Sequence, residues 1–235
     1  MSITVLFDNV AFATGIATSW GFSCLVETPQ DTLLFDTGDN GDILLANMAL
    51  LGKNPSCVHK IFISHMHHDH TGGLQAFLKV NPDVDIFLPG NAQASDVKRY
   101  QDMGARVHLI QQAGEFAPGF LSTGTLPGNP IDEQSLLVKE DDKVILIVGC
   151  SHPGIANIVM TAKSMARAPA LVLGGFHLLH TRSDKVRVIA EKMKALGVSG
   201  VAPSHCTGSE ATQVFKEVFG PNFHKSGAGR TFTFP

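Results

Sequence analysis

The chain has 235 residues, of which 44% are hydrophobic and 17% charged, with a formal net charge of -3. That is enough to bury a sizeable core, and the charge balance gives no electrostatic case for nucleic acid or an anionic membrane as partner. No apolar run approaches the roughly 20 residues that span a bilayer. The opening MSITVLFDNV reads as a strand rather than a leader. Cys24, Cys57, Cys150 and Cys206 are too scattered for a disulfide framework. The expectations are a reducing cytoplasm and a small-molecule substrate, with a homo-oligomer left open.

In chain order, Ile3–Phe7, Phe22–Glu27 and Thr32–Phe35 read as short strands, the third ending in Asp36-Thr37-Gly38. Ile43–Leu51 has helical spacing and stops at Gly52. A β-rich run, Val58–Ser64, leads into the ligand-rich stretch described below and a helix, Leu74–Val80. Strand Val84–Leu88 and helix Ala92–Met103 follow. Residues 105 to 130, rich in Gly and Pro, read as short edge strands mixed with a long loop, the kind of segment that borders a substrate pocket. A hairpin, Ser135–Val138 and Val144–Val148, turns at Glu140-Asp141-Asp142, and its apolar second arm predicts a central strand buried on both faces. Helix Ile155–Arg167, strand Ala170–Leu173, helix Lys185–Leu196, strand Val198–Pro203, helix Glu210–Phe219 and a closing strand Arg230–Phe234 complete the chain. No linker or sequence repeat divides it, so residues 1–235 read as one domain of two architecturally similar halves.

One pattern recurs: apolar strand, His-bearing turn, helix. It appears at His65/His67, His152, His177 and His205. The densest case is SHMHHDHTGG, with His65, His67, Asp69 and His70 in six residues. In an extended segment His65 and His67 project to the same side, and tightening toward a helix turns Asp69 and His70 to a neighbouring point. Such nitrogen and oxygen donors suit one or two divalent transition metals; zinc is the first expectation, and manganese and iron suit the same donors. His68 breaks the alternation and reads as a bystander. Asp36 reads as a partner for the far ring nitrogen of a ligand histidine. His59, His108, His180 and His224 read as surface or packing residues, and Cys150 and Cys206 as small buried residues beside the site. No GxSxG elbow, Cys-His-Asn pattern, GxGxxG or GxxxxGK[ST] is present.

SHMHHDHTGG and the upstream LLFDTG resemble the signature of the metallo-β-lactamase-fold superfamily. DEQSLLV with GCSHPGIANIV, LVLGGFHLL and PSHCTG resemble a subgroup described as metal-dependent hydrolases, whose chemistry extends to joining a dihydropterin pyrophosphate to an aryl ribofuranosyl phosphate. The resemblance implies an α/β four-layer αββα sandwich. It implies His65, His67 and His152 on a first metal, and Asp69, His70 and His205 on a second. With two metals, Asp69 would orient the nucleophile and could take its proton; His177 reads as a substrate contact, with metal ligand and satisfied buried histidine as alternatives. The chain departs from the commoner pattern where a Gly-Asp pair is expected: Gly149-Cys150 stands there, and Asp132-Glu133 precedes the hairpin. His152, a Cys150 thiolate, or a carboxylate from Asp132 or Glu133 could each fill that place. The expected activity is metal-dependent hydrolysis of a small phosphoester, ester or lactone, with transfer or non-catalytic ligand sensing as alternatives.

Overall fold

In the computed structural model, which describes residues 1–234, the chain forms two compact units. The first is Met1–Gln111 with the segment from Gly227, and the second is Gln112–Ser226. Each unit is one sheet with its own helices and core.

The first unit contains β1 (Ser2–Phe7), β2 (Ser23–Glu27), β3 (Thr32–Phe35), α1 (Gly41–Leu50), β4 (Lys60–Phe62), α2 (His68–Thr71), α3 (Leu74–Val80), β5 (Asp85–Pro89), α4 (Ala94–Asp102) and β6 (Arg106–Ile110). The second contains β7 (Gly114–Ala117), β8 (Phe120–Ser122), β9 (Leu136–Glu140), β10 (Lys143–Val148), α5 (Ile155–Met165), β11 (Leu171–Gly175), α6 (Ser183–Ala195), β12 (Gly200–Ser204) and α7 (Ser209–Phe219); β13 (Thr231–Thr233) returns to the first.

The first sheet runs β13-β1-β2-β3-β4-β5-β6, antiparallel as far as β3 and parallel from β3 to β6. The second runs β12-β11-β10-β9-β8-β7, with β12, β11 and β10 parallel and the rest antiparallel. The apolar arm KVILIV lies between β9 and β11 with five of its six residues buried, as its composition predicts. Segment 105–130 supplies β6 and β7, the edge strands of the two sheets.

Helix α1 begins two residues before its apolar pattern because Asn40 caps it, the side chain accepting from the Asp42 and Ile43 amides. Leu44, Met48, Leu74, Phe77 and Leu78 pack on Leu6, Leu34, Ile61, Ile63 and Ile86 in the first core. Ile158, Val159, Val186, Ala190, Met193, Val214 and Phe215 pack on Leu146, Val148, Val172 and Val201 in the second. Apolar burial of this kind, worth roughly 25 cal/mol per Å², leaves the parallel strand ends to carry polar groups. Among the described residues no helix is long and apolar enough to cross a membrane.

Candidate metal centre

The polar side chains collect just past the C-terminal ends of parallel strands, where open α/β sheets place ligands. Asp36 follows β3, His65 lies past β4, and Cys150, His177 and His205 follow β10, β11 and β12. Asp36, Ser151, His177 and His205 all take left-handed backbone, with φ of 49°, 66°, 54° and 49°. Side chains rarely adopt that region, and its concentration at strand ends marks turns bent to aim particular groups.

In the first unit a fully buried carboxylate organises the turn. Asp36 accepts from the Ser64 amide at 2.7 Å, from the Ser64 hydroxyl at 2.7 Å and from His70 Nδ1 at 2.6 Å. The single Ser64 hydroxyl hydrogen goes to Asp36, so Ser64 Oγ accepts from His65 Nδ1, 2.9 Å away. Both imidazoles are thereby held with Nδ1 protonated and the Nε2 lone pair turned outward, the arrangement of metal-binding histidines. His65 Nε2 lies 3.1 Å from His67 Nδ1, and His70 Nε2 lies 3.6 Å from Asp69 Oδ2. Two nitrogens bound at 2.0–2.1 Å to one tetrahedral ion would be about 3.3 Å apart. The donor set and its spacing therefore fit a divalent metal. His68 is exposed, consistent with a bystander.

The backbone of this stretch is clasped from outside. Both the amide and the hydroxyl of Thr37 donate to His70 O, at 2.8 and 2.9 Å, and the Phe22 amide donates to Asp69 O. Close approach explains the Gly72-Gly73 pair: a Cβ on Gly72 would lie 2.3 Å from Asp39 O, and one on Gly73 2.3 Å from Thr37 O. Behind the site, burial and then the Asp36 charge push the Cys24 thiol well above its ordinary pKa.

In the second unit a different carboxylate grips the backbone. Buried Glu133 accepts through Oε1 from the amides of Gly149, Cys150 and Ser151 at 3.1, 3.0 and 3.0 Å, and through Oε2 from His152 at 2.9 Å. Successive amides of one turn form an anion nest, and Glu133 occupies it. This task, invisible in the motif, leaves Glu133 anchoring the turn, while Asp132 caps the Gly128 amide. Cys150 Sγ lies 3.3 Å from His205 Nε2, close to the roughly 3.5 Å expected for a sulfur and a nitrogen on one zinc ion. The His152 and His177 rings stand 4.4 Å apart; His152 is buried and His177 exposed, beside a pocket walled by Ile155, Phe176, Leu178 and Ile189.

Of the remaining histidines, His59 and His108 lie at the surface, each paired with an acid (Asp31 and Asp85), His180 is exposed, and His224 is half-buried. Sequence reasoning missed Ser64, the relay between Asp36 and His65. Its signal was a hydroxyl directly preceding the first histidine of the motif.

Each unit gathers candidate ligands at the ends of its parallel strands, as an α/β fold allows, and the chain belongs to the metallo-β-lactamase superfamily, whose model matches residues 21–205. It is similar to the 7,8-dihydropterin-6-methyl-4-(β-D-ribofuranosyl)-aminobenzene-5'-phosphate synthase of Methanocaldococcus jannaschii, with 26% identity covering 98% of this chain and 95% of that one. An uncharacterised protein of the same organism is 31% identical over 89% of this chain and 91% of its own. A crystal structure described as a metal-dependent hydrolase of the β-lactamase superfamily has the same fold, with a TM-score of 0.83 and 29% identity, covering 100% of this chain and 99% of the other.

Proposed function

We propose that the protein is a metal-dependent enzyme that hydrolyses a small phosphoester, ester or lactone. His65, His67, Asp69, His70, His152 and His205 would hold one or two divalent ions, zinc first, in keeping with the superfamily's ligand pattern. The observation that carries this reading is the Asp36–Ser64–His65 and Asp36–His70 network, which fixes both tautomers with Nε2 outward. A divalent ion held there would act as a Lewis acid on an ester or phosphoryl oxygen and bring water's pKa toward neutrality. Asp69, part-exposed on α2, can orient the attacking water and accept its proton. His177, exposed and lifted by its left-handed backbone, can donate a hydrogen bond to a substrate oxygen. Cys150 is the further donor whose spacing to His205 suits a ligand.

A second reading is favoured by the near full-length similarity to a synthase: transfer from a dihydropterin pyrophosphate to an aryl ribofuranosyl phosphate acceptor. The experiment is metal analysis of the purified protein together with paired assays. Two metals per chain, falling toward one in His152→Ala and in His205→Ala, support the centre; metal content indifferent to both variants overturns it. Nitrophenol release from a model phosphodiester supports hydrolysis, and pyrophosphate release that requires an acceptor supports transfer.

A further inference from the structure

Strands β10 and β12 are not neighbours; β11 lies between them. With strands 4.7–4.9 Å apart, their ends are roughly 10 Å from one another. The residues after them nonetheless meet. Cys150 Sγ, Cys206 Sγ and a ring nitrogen of His177 all lie within 4.8 Å of one another. The Cys206 thiol donates to Cys150 O at 3.6 Å. They meet over the bare end of β11: a Cβ on Gly175 would lie 2.6 Å from Cys206 Sγ and 2.5 Å from Gly149 O. Both segments carry a left-handed residue beside the cysteine, Ser151 and His205. A buried thiol pair within 4.8 Å, on two turns well separated in sequence, is more than two small core residues.

We propose that Cys150 and Cys206 form a peroxide-oxidisable dithiol that closes to an intramolecular disulfide. One sulfur attacks the O–O bond of a hydroperoxide and takes one oxygen as sulfenic acid, the other oxygen leaving as water or alcohol. The second sulfur then displaces that oxygen as water and forms the S–S bond. With hydrogen peroxide, two thiols and one oxidant give one disulfide and two waters. Cys150 Sγ lies 3.3 Å from His205 Nε2, so closure replaces a thiol beside that nitrogen with a disulfide sulfur. The disulfide stands independently of which reaction the site performs.

The test uses the full-length protein with exposed Cys57 replaced by Ser. Hydrogen peroxide is titrated in, followed by intact mass and non-reducing peptide mapping. The expected result is loss of two hydrogens, one cross-linked peptide pair carrying Cys150 and Cys206, and reversal by dithiothreitol. Adding Cys206→Ser abolishes the cross-link. The exposed Met160 is an internal dose marker. If Met160 gains oxygen while no Cys150–Cys206 cross-link forms, or if Cys24 or a second chain supplies the partner sulfur, the proposal is overturned.

Discussion

Two buried carboxylates anchor polar turns, one in each unit, and they work in different ways. Asp36 holds one hydroxyl, one amide and one imidazole, so its effect reaches the aim and tautomer of His65 and His70. Glu133 holds four consecutive amides, so it fixes the path of the Gly149–His152 turn and sets no tautomer. The first tunes donors that local spacing has already brought together. The second builds the turn that gives Cys150 and His152 their positions.

Removing Glu133 should therefore have the largest effect on folding. Glu133→Ala leaves four buried donors without their acceptor; at about 1–3 kcal/mol for each unmet group, not strictly additive, the loss should reach roughly 4 kcal/mol. Glu133→Gln retains one oxygen for the Oε1 cluster and should lose about half as much. Urea unfolding midpoints measure both. A loss below about 1 kcal/mol for the Ala variant would show that water satisfies the turn equally well.

Asp36→Asn should move a different observable. An amide oxygen at the Oδ2 position turns the NH2 against the Ser64 amide, and one at the Oδ1 position leaves the Ser64 hydroxyl and His70 Nδ1 without their acceptor, so either orientation disturbs the relay. Metal affinity should fall about 10–100-fold, with a smaller loss of stability than Glu133→Ala. Competition with a chelating dye reads the first and urea the second. Equal metal affinity in wild type and variant would mean that Asp36 only fills space.

Next in size is the glycine pair. Gly73→Ala forces a Cβ against Thr37 O, the residue that clasps His70, and should cost about 1–3 kcal/mol by overpacking. Gly52→Ala, at positive φ with open space around it, reads backbone strain alone, whereas Gly73, at φ of −80°, reads the clash alone.

These sites were unequally legible in the sequence. His65, His67, Asp69 and His70 lie within six residues, so their convergence follows from strand alternation and one turn of helix. Asp36 could be anticipated because an acid at a strand end beside a histidine cluster has one common use. Glu133 could not, because its partners lie 16 to 19 residues away and are backbone amides, which leave no side-chain pattern. The meeting of Cys150 and Cys206 was equally hidden, since it needs the order β12-β11-β10 and the glycine between. Strands and helices were legible to within a few residues; at α1 the shift comes from the cap at Asn40, which acts on hydrogen bonds rather than on apolar spacing.

A third carboxylate shows how much of this depends on burial. Asp85 on β5 lies directly opposite Arg106 on edge strand β6 and accepts from its Nε and Nη2 at 3.1 and 3.0 Å, and from His108 Nε2 at 2.7 Å. The Arg106 hydrogen bonds, aided by His108 and opposed by partial burial, hold the Asp85 carboxyl below its ordinary value of 3.8. A depressed folded-state pKa contributes stability above the unfolded value and loses it as pH falls through the folded one. The pair should therefore stabilise at neutral pH and fade below about pH 4. Asp85 is 27% exposed and Arg106 53%, so solvent and salt screen the pair, and its contribution should stay under about 1 kcal/mol. Asp85→Asn compared with wild type at about pH 7 and about pH 3, in low and molar salt, measures it. A difference of that size, vanishing in acid or salt, would show that three hydrogen bonds to a carboxylate at an exposed edge do far less than three or four to Asp36 or Glu133. A difference that survives both would mean that β6 contributes through packing and that burial is not what separates the three.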